Sequence, residues 1–547
     1  MNRRDFLRAV GREVFPADSA LRFALAAVLF ASTAFAADAG PTVGAWPTWC
    51  GNPSRNAVSQ EKNLIEGFEE WDGAADPGKK RRNVLWVAPL NPKGQKAGAE
   101  KPTMTQVWGS PVVAGGRVYL TGSLDGGGSF QISTTGVLWC FKESDGALLW
   151  RFRSRYIKKL YNRSWGMSAT PTVEDDRVYV VNQLADVLCL DVNGLANGNQ
   201  GPYQEERALL ATGRELVKIE IDDQGKSRAE ITAGKSQDLD AADGDVLWRF
   251  DMYREINCRP YNCLTSGILI HGDLLFLGTC STRMDKALKW SPIMIALDKK
   301  TGRLAAMNEA GVPGPGYHGA NATPSYGVVN GKGLVFYADG RGVCYAFDPN
   351  PQPGQDGSPG TLKMVWRCDC VKPPITNANG KPERFEILAS PVFHENRVYI
   401  SLGKDPGMSS KEKGRLVCID ATRQGDISET GLVWKFDDLH ASCTTVAISD
   451  GFLFAADMLG RVYCLEAATG KLLWRHEVGK PVWGSPLVAD GKVYLGTRGK
   501  GLLILAAARE KRIVHDAGKL VVDVLPAAAN GVLYIASHHA LFALKRE

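Results

Sequence analysis

Trp108–Leu120 reads WGSPVVAGGRVYL and Trp483–Leu495 reads WGSPLVADGKVYL, identical at ten of thirteen positions although 375 residues apart. Self-similarity of this kind is the mark of a repeat architecture and constrains the fold more than any local propensity does. The wider unit is an apolar strand opening on Ser/Thr-Pro, a tight turn, an alternating strand of the Val-Tyr-Leu type, a third short strand, and a Thr-Gly turn leading to Trp. Its second half is clearest in Cys464–Trp474. Each unit therefore reads as four antiparallel strands.

Units begin near Pro111, Pro171, Gly267, Pro324, Pro391, Val446, Pro486 and Pro526, which makes eight. Shortly after each start stands Gly116, Asp176, Gly272, Gly331, Asn396, Gly451, Gly491 or Gly531. Gly, Asn and Asp tolerate the positive φ that a two-residue hairpin turn demands. Spacings between starts run 60, 96, 57, 67, 55, 40 and 40, so the core unit is about 40 residues and the excess is inserted loop, most of it between 191 and 243. Four-stranded sheets repeating at that period predict an all-β chain folded as an eight-bladed β-propeller. The last unit stops after three strands, whereas Asn83–Leu90 is a Trp strand with no unit of its own. That N-terminal strand is expected to complete blade eight and close the ring, hiding a sheet edge. Trp86, Trp150, Trp248, Trp366, Trp434 and Trp474 are expected to pack between blades, with Ala306 and Val514 standing in blades three and seven.

The Ala/Cys-x-Asp/Glu-x-x-Thr-Gly-Lys-x-x-Trp pattern resembles the tryptophan-docking motif of the pyrroloquinoline-quinone-like (PQQ-like) eight-bladed propellers. That superfamily includes quinoprotein alcohol dehydrogenases and the propeller lipoprotein of the outer-membrane assembly machine. The resemblance covers about residues 83 to 547, and Trp46-Pro-Thr-Trp49-Cys-Gly-Asn52-Pro-Ser-Arg55 is similar to the leader preceding such propellers in exported proteins. A shared fold does not fix chemistry.

The first 36 residues read as an export signal. Arg3-Arg4 is followed by Phe6-Leu7, and an apolar run from Ala20 to Phe35 ends in the small-x-small site Ala34-Phe35-Ala36. The paired arginines point to the twin-arginine route; a general secretory signal with a basic n-region is the alternative. The run is too short for a membrane span. The expected organisation is a signal at 1–36, a leader at 37–82 and the propeller at 83–547, in a soluble periplasmic protein without a transmembrane segment in its mature chain. With 65 Lys+Arg against 59 Asp+Glu and no basic run longer than Lys79–Arg82, the chain lacks the clustered basic face of a nucleic-acid binder.

Resemblance to quinoprotein dehydrogenases implies a vicinal disulfide, acidic and amide ligands for Ca²⁺, an aspartate base and a Trp floor under PQQ. The sequence contains no Cys-Cys pair and no Cys-x-x-Cys-His haem site. Cys140, Cys189, Cys418 and Cys464 share one repeat position, where other units carry Ala, and read as small core residues. Cys258 with Cys263, and Cys368 with Cys370, are close enough in sequence to bridge. Asp191 and Asn193 open a Gly/Asn-rich loop able to wrap Ca²⁺, but the EF-hand spacing fails, and an ordinary turn series competes. Residues preceding the inner strands, namely Trp108, Trp165, Asn262, His318, His440 and Trp483, are expected to ring one mouth of the channel. They would either stack on a ligand or fill the wall. The reading that results is an exported, non-catalytic binding or scaffold propeller with an envelope protein or polymer as partner. Its alternatives are a PQQ- and Ca²⁺-dependent dehydrogenase of alcohols or sugars, and a role in outer-membrane protein assembly.

Overall fold

A computed structural model describes residues 44–71, 77–90, 104–126, 135–155, 165–204, 206, 217–221, 227–231, 239–258, 260, 264–281, 291–308, 321–374, 385–403 and 413–547. They form eight small antiparallel sheets and a separate hairpin. Blade one runs Val112–Ala114, Arg117–Gly126, Thr135–Lys142 and Leu148–Arg155, with Met104–Val107 added alongside Arg117–Gly126. Blades two to seven repeat that order from inner strands at Thr172, Leu269, Ser325, Val392, Ala447 and Leu487. Gly360–Leu362 and Gly425–Asp426 add parallel outer strands to blades three and four. The hairpin Val217–Ile221 with Ser227–Ile231 lies within the 191–243 insertion.

Ring closure follows the expectation. Val84–Pro89 pairs antiparallel with Ala540–Leu544, so the strand before blade one is the outer strand of blade eight. In the third unit the inner strand starts at Leu269, which puts the unit start at Ile268, one residue later than the sequence suggests. In six blades both turn residues take positive φ, including Glu395-Asn396; in blade two it is Asp175 rather than Asp176 that does so.

The tryptophans explain why the blades cohere. Each indole N–H donates to a carbonyl of the next blade: Trp86 to Glu143, Trp150 to Val192, Trp248 to Lys299, Trp366 to Ala421, Trp434 to Ala467 and Trp474 to Ala508, at 2.7–3.2 Å. The ring lies on the Thr-Gly turn: a Cβ on Gly470 would meet the Trp434 ring at 2.5 Å, so that turn excludes any side chain. Opposite each Trp across its own sheet stands Cys140, Cys189, Ala346, Cys418, Cys464 or Ala543. These small residues leave room for the indole. In blade seven the residue in register is His515 rather than Val514, paired with Ile504. The thiols of Cys140, Cys189, Cys418 and Cys464 are pushed up to about 12 by burial, as suits core residues. Cys368 and Cys370 are free thiols rather than a bridge; Cys263, the expected partner of Cys258, lies outside the described residues.

Candidate functional site

Two rings of residues lie just ahead of the inner strands, at the positions one and three before each unit start. The nearer ring is Ser110, Thr170, Gly267, Thr323, Ser390, Thr445, Ser485 and Leu525. Where the next blade carries a hydroxyl, that hydroxyl accepts the backbone N–H of the preceding blade. The bonds are Leu525 to Ser110, Ser110 to Thr170, Gly267 to Thr323, Thr323 to Ser390, Ser390 to Thr445 and Thr445 to Ser485, at 2.9–3.1 Å. The two junctions without this bond are those where Gly267 and Leu525 offer no acceptor. The repeated Ser/Thr is thus a belt around the channel.

The outer ring is Trp108, Ser168, Thr265, Asn321, Leu388, Cys443, Trp483 and Asp523, one residue from every blade, and all eight line a single cavity of about 200 Å³. Residues at the belt and Trp49 complete its wall. Trp108 lies 4.8 Å from Trp165 and 5.9 Å from Trp483, ring centroid to centroid. Trp165 stands six rather than three residues before its unit start; Gly166, at φ +78°, turns the chain and brings it to the mouth. Asp523 fills blade eight's place between the tryptophans of blades seven and one. Its side chain is fully buried, 3.3 Å from His538 Nε2 and 3.5 Å from Arg498 Nη2, and neither carboxylate oxygen accepts a hydrogen bond among the described residues. The Arg498 guanidinium sits 4.0 Å over the Trp483 ring.

The far side of the channel is filled by the leader. Residues 44–61 thread across the inner strands and bond to all eight blades in turn. Trp46 pairs with Val113, and Pro47 O accepts from Val173. Arg55 donates to Ile268 and Pro324, while Pro53 and Ser54 carbonyls accept from Tyr326 and Phe393. Asn56 bonds both ways with Ile448, Val58–Ser59 runs parallel to Leu487–Ala489, and Glu61 receives Asn530 and Gly531. These contacts lie two residues beyond the unit starts in most blades. At about 3.3 Å per residue that is roughly 10 Å below the belt. The cavity is therefore a cup with one mouth.

Of the residues expected around the mouth, Trp108, Trp165 and Trp483 come together. His440 does not line the cavity; its backbone pairs with Lys413 and donates to Asp457, 3.3 Å away. Asn262 and His318 lie outside the described residues, as do Arg3 and Arg4 of the signal. Asp191 Oδ1 caps its own turn at the Asn193 N–H, and Asn193 Oδ1 receives Arg117 at 2.7 Å, so both oxygens serve the fold. Asp523, Asn321 and Trp49 were missed. The signal for the first two was the constant offset from the unit start, applied to every blade regardless of residue type.

Among the described residues no helix is long and apolar enough to cross a membrane, and no three His, Cys, Asp or Glu side chains gather as a metal would require. Two curated proteins are similar over part of the chain. The quinohemoprotein alcohol dehydrogenase ADH IIB of Pseudomonas putida is 24% identical over 25% of this chain and 19% of its own length. The tetrathionate hydrolase of Acidithiobacillus ferrooxidans is 25% identical over 42% of this chain and 44% of its own. The chain thus spans less than half the length of either relative. Among solved structures, BamB from Moraxella catarrhalis superposes with a TM-score of 0.44 at 12% identity, over 82% of this chain and 95% of that one. The family model described as the outer membrane protein assembly factor BamB matches residues 86–350 and 412–516, more than half of the chain. With eight blades, docked tryptophans and that match, the chain belongs to the PQQ-like β-propeller family of BamB.

Proposed function

We propose that this protein is an exported binding propeller of the bacterial cell envelope, which recognises a ligand or partner at the channel mouth and does not transform it. The observation that carries this reading is the convergence of one side chain from every blade on a single cup, closed below by the leader and walled by three tryptophans. Such a concave, largely apolar site with a few polar groups is the usual form of a binding pocket. Export through the twin-arginine route, proposed from Arg3-Arg4 and Ala34-Phe35-Ala36, places it in the periplasm. A partner in outer-membrane protein assembly is the narrower version of this reading, and it rests on the family description alone.

A quinone-dependent dehydrogenase is the competing reading. PQQ is a triacid, and no Lys, Arg or His is among the described residues lining the cup to receive its carboxylates. No adjacent cysteines and, among the described residues, no cluster of metal-binding donors support the group. The residues present do not fit PQQ with Ca²⁺, and no step is derived through it.

The test compares wild-type protein with the double variant Trp108→Ala/Trp483→Ala in affinity co-purification from a bacterial envelope extract, with melting temperatures measured in parallel. The reading expects a discrete bound species with wild type that the variant loses while it stays folded. Identical bound sets would refute the mouth as the binding site. A saturable rise in melting temperature on titrating wild type with PQQ and Ca²⁺ would overturn the non-catalytic reading.

A further inference from the structure

Three blades carry an extra outer strand, and it always comes from the same place. The link between the third and fourth strands of one blade reaches back and lies parallel to the outer strand of the blade before it. Residues 242–244, from blade two, join Arg151 of blade one; Gly360–Leu362, from blade four, joins Leu304–Asn308 of blade three; and Gly425–Asp426, from blade five, joins Met364–Asp369 of blade four. In blades one and four the residue after the docking tryptophan turns its backbone outward to this strand. Arg151 N–H donates to Ala242 O at 2.8 Å and Arg151 O accepts from Gly244 at 3.0 Å, while Arg367 O accepts from Ile427 at 2.9 Å. The added strands also bring an acid to a base, Asp243 to Arg153 at 3.0 Å and Asp426 to Arg367 at 3.6 Å, and Gly425 stands opposite Trp366. Trp150 and Trp366 are left at 1% and 0% exposure. A sheet edge without such cover is a template for another strand.

Blade five has no such cover among the described residues, since the link 467–471 of blade six is a tight Thr-Gly turn. Its outer strand Leu432–Phe436 ends the sheet, with Trp434 half-buried, Val433 44% exposed and Lys435 exposed. Trp434 pairs with Cys418 as Trp150 does with Cys140, so Lys435 holds the place of Arg151 and Arg367 and turns its N–H and C=O outward. The other edges without an added strand differ at this place. Arg249 of blade two is held by Asp186 and Asp251, Lys511 reaches Arg475 O in blade six, and blades seven and eight carry Asp516 and Val87.

We infer that the outer edge of blade five is a docking strip for an extended segment of a partner protein, which adds a parallel strand with a glycine opposite Trp434 and an aspartate or glutamate opposite Lys435. Main-chain hydrogen bonds to Lys435 supply the attachment, and the acid sets the register. Asp437, 3.3 Å from Lys435, stands where blade one has Arg153, and repels an acid placed two residues further along. None of the residues lining the channel mouth belongs to this strip, so it stands or falls independently of that site.

The chain supplies its own probe. A peptide of residues 422–429, capped at both ends, holds the Gly425-Asp426 pair that covers blade four within the chain. It is titrated to millimolar concentration into the full exported chain at fixed ionic strength, with affinity read by fluorescence polarisation of a labelled copy and hydrogen exchange read at single residues. The inference expects saturable binding and, at saturation, at least tenfold slower exchange at the Lys435 amide, with none at Trp434, whose amide already faces its own sheet. The same peptide carrying Asp426→Lys should bind at least tenfold more weakly. Lys435→Glu in the chain should reverse the preference between the two peptides, and because Lys435 is exposed this variant keeps the fold. Binding that leaves exchange at Lys435 unchanged puts the peptide elsewhere and overturns the inference. Equal affinity for the two peptides, or no binding of either, overturns it as well.

Discussion

Arg55 is the sharpest test of the leader as part of the propeller. It is fully buried, and its guanidinium donates to Pro324 O, Ile268 O, Trp49 O, Asn52 O and Thr48 Oγ1 at 2.8–3.4 Å, so its charge is met by carbonyl and hydroxyl oxygens from the leader and from blades three and four. Burial draws its pKa down to about 10, which leaves it charged at neutral pH while recording the cost of desolvation. Arg55→Met keeps the apolar stem and removes the donors. Pro324 and Trp49 carbonyls, bonded at 2.8 and 2.9 Å, then lose them; Ile268 O keeps the Thr172 hydroxyl at 2.8 Å. Two orphaned acceptors cost about 1–3 kcal/mol each. Relief of the desolvated charge returns part of that, for a net loss of about 2–4 kcal/mol. With unfolding entropy near 2.1 cal/mol/K per residue, a chain of this length shifts by roughly 1 °C per kcal/mol.

Calorimetry should therefore show a fall of about 2–4 °C. Native-state hydrogen exchange gives a more local reading, since the amides of Val173, Tyr326, Phe393 and Val488 donate to leader carbonyls and that of Ile448 to Asn56 Oδ1. A leader loosened by 2 kcal/mol exchanges roughly 30-fold faster at these amides together. Arg55→Lys retains charge without the fork and should lose nearly as much. An unchanged melting temperature and unchanged exchange at those five amides in Arg55→Met would refute the claim that residues 44–61 clasp the ring.

Trp366→Phe removes the indole donor to Ala421 O, at 3.1 Å, from a fully buried ring, and should cost about 1–2 kcal/mol by chemical denaturation; a neutral effect would deny the docking bond any role. Gly470→Ala places a Cβ 2.5 Å from the Trp434 ring at φ +73° and should destabilise by more than about 1 kcal/mol, whereas Gly425→Ala, with φ +78° and open space around it, pays for the backbone alone; equal losses would rule out the ring contact. Thr445→Val orphans the buried Ser390 N–H and should cost about 1–3 kcal/mol, measurable as a lowered denaturation midpoint at unchanged slope. Cys140, Cys189, Cys418 and Cys464, with thiols pushed up to about 12, should resist iodoacetamide at pH 8 in native protein and react once it is unfolded; native labelling at any of them would contradict their burial.

The architecture was readable because each repeated residue type has a job that only one geometry satisfies. Pro opens the inner strand, Gly or Asn turns it, a small residue faces Trp, and the unpaired Trp strand at 83–90 seeks the incomplete last unit. What escaped were features whose meaning depends on phase rather than identity. Trp108 and Trp483 stand three residues before their unit starts, but Trp165, Asn262, His318 and His440 stand six before theirs, three residues out of step with the ring. Of these, Trp165 reaches the cavity through the turn at Gly166, whereas His440 does not line it. Asp523, in the correct phase, lacked the aromatic character that drew attention to its neighbours. The third unit starts one residue later than the sequence suggests, and Arg55 sits in a stretch whose partners are hundreds of residues away. Repetition therefore supplies its own ruler: once seven units fix the offset, the residue at that offset in the eighth belongs to the site whatever its type.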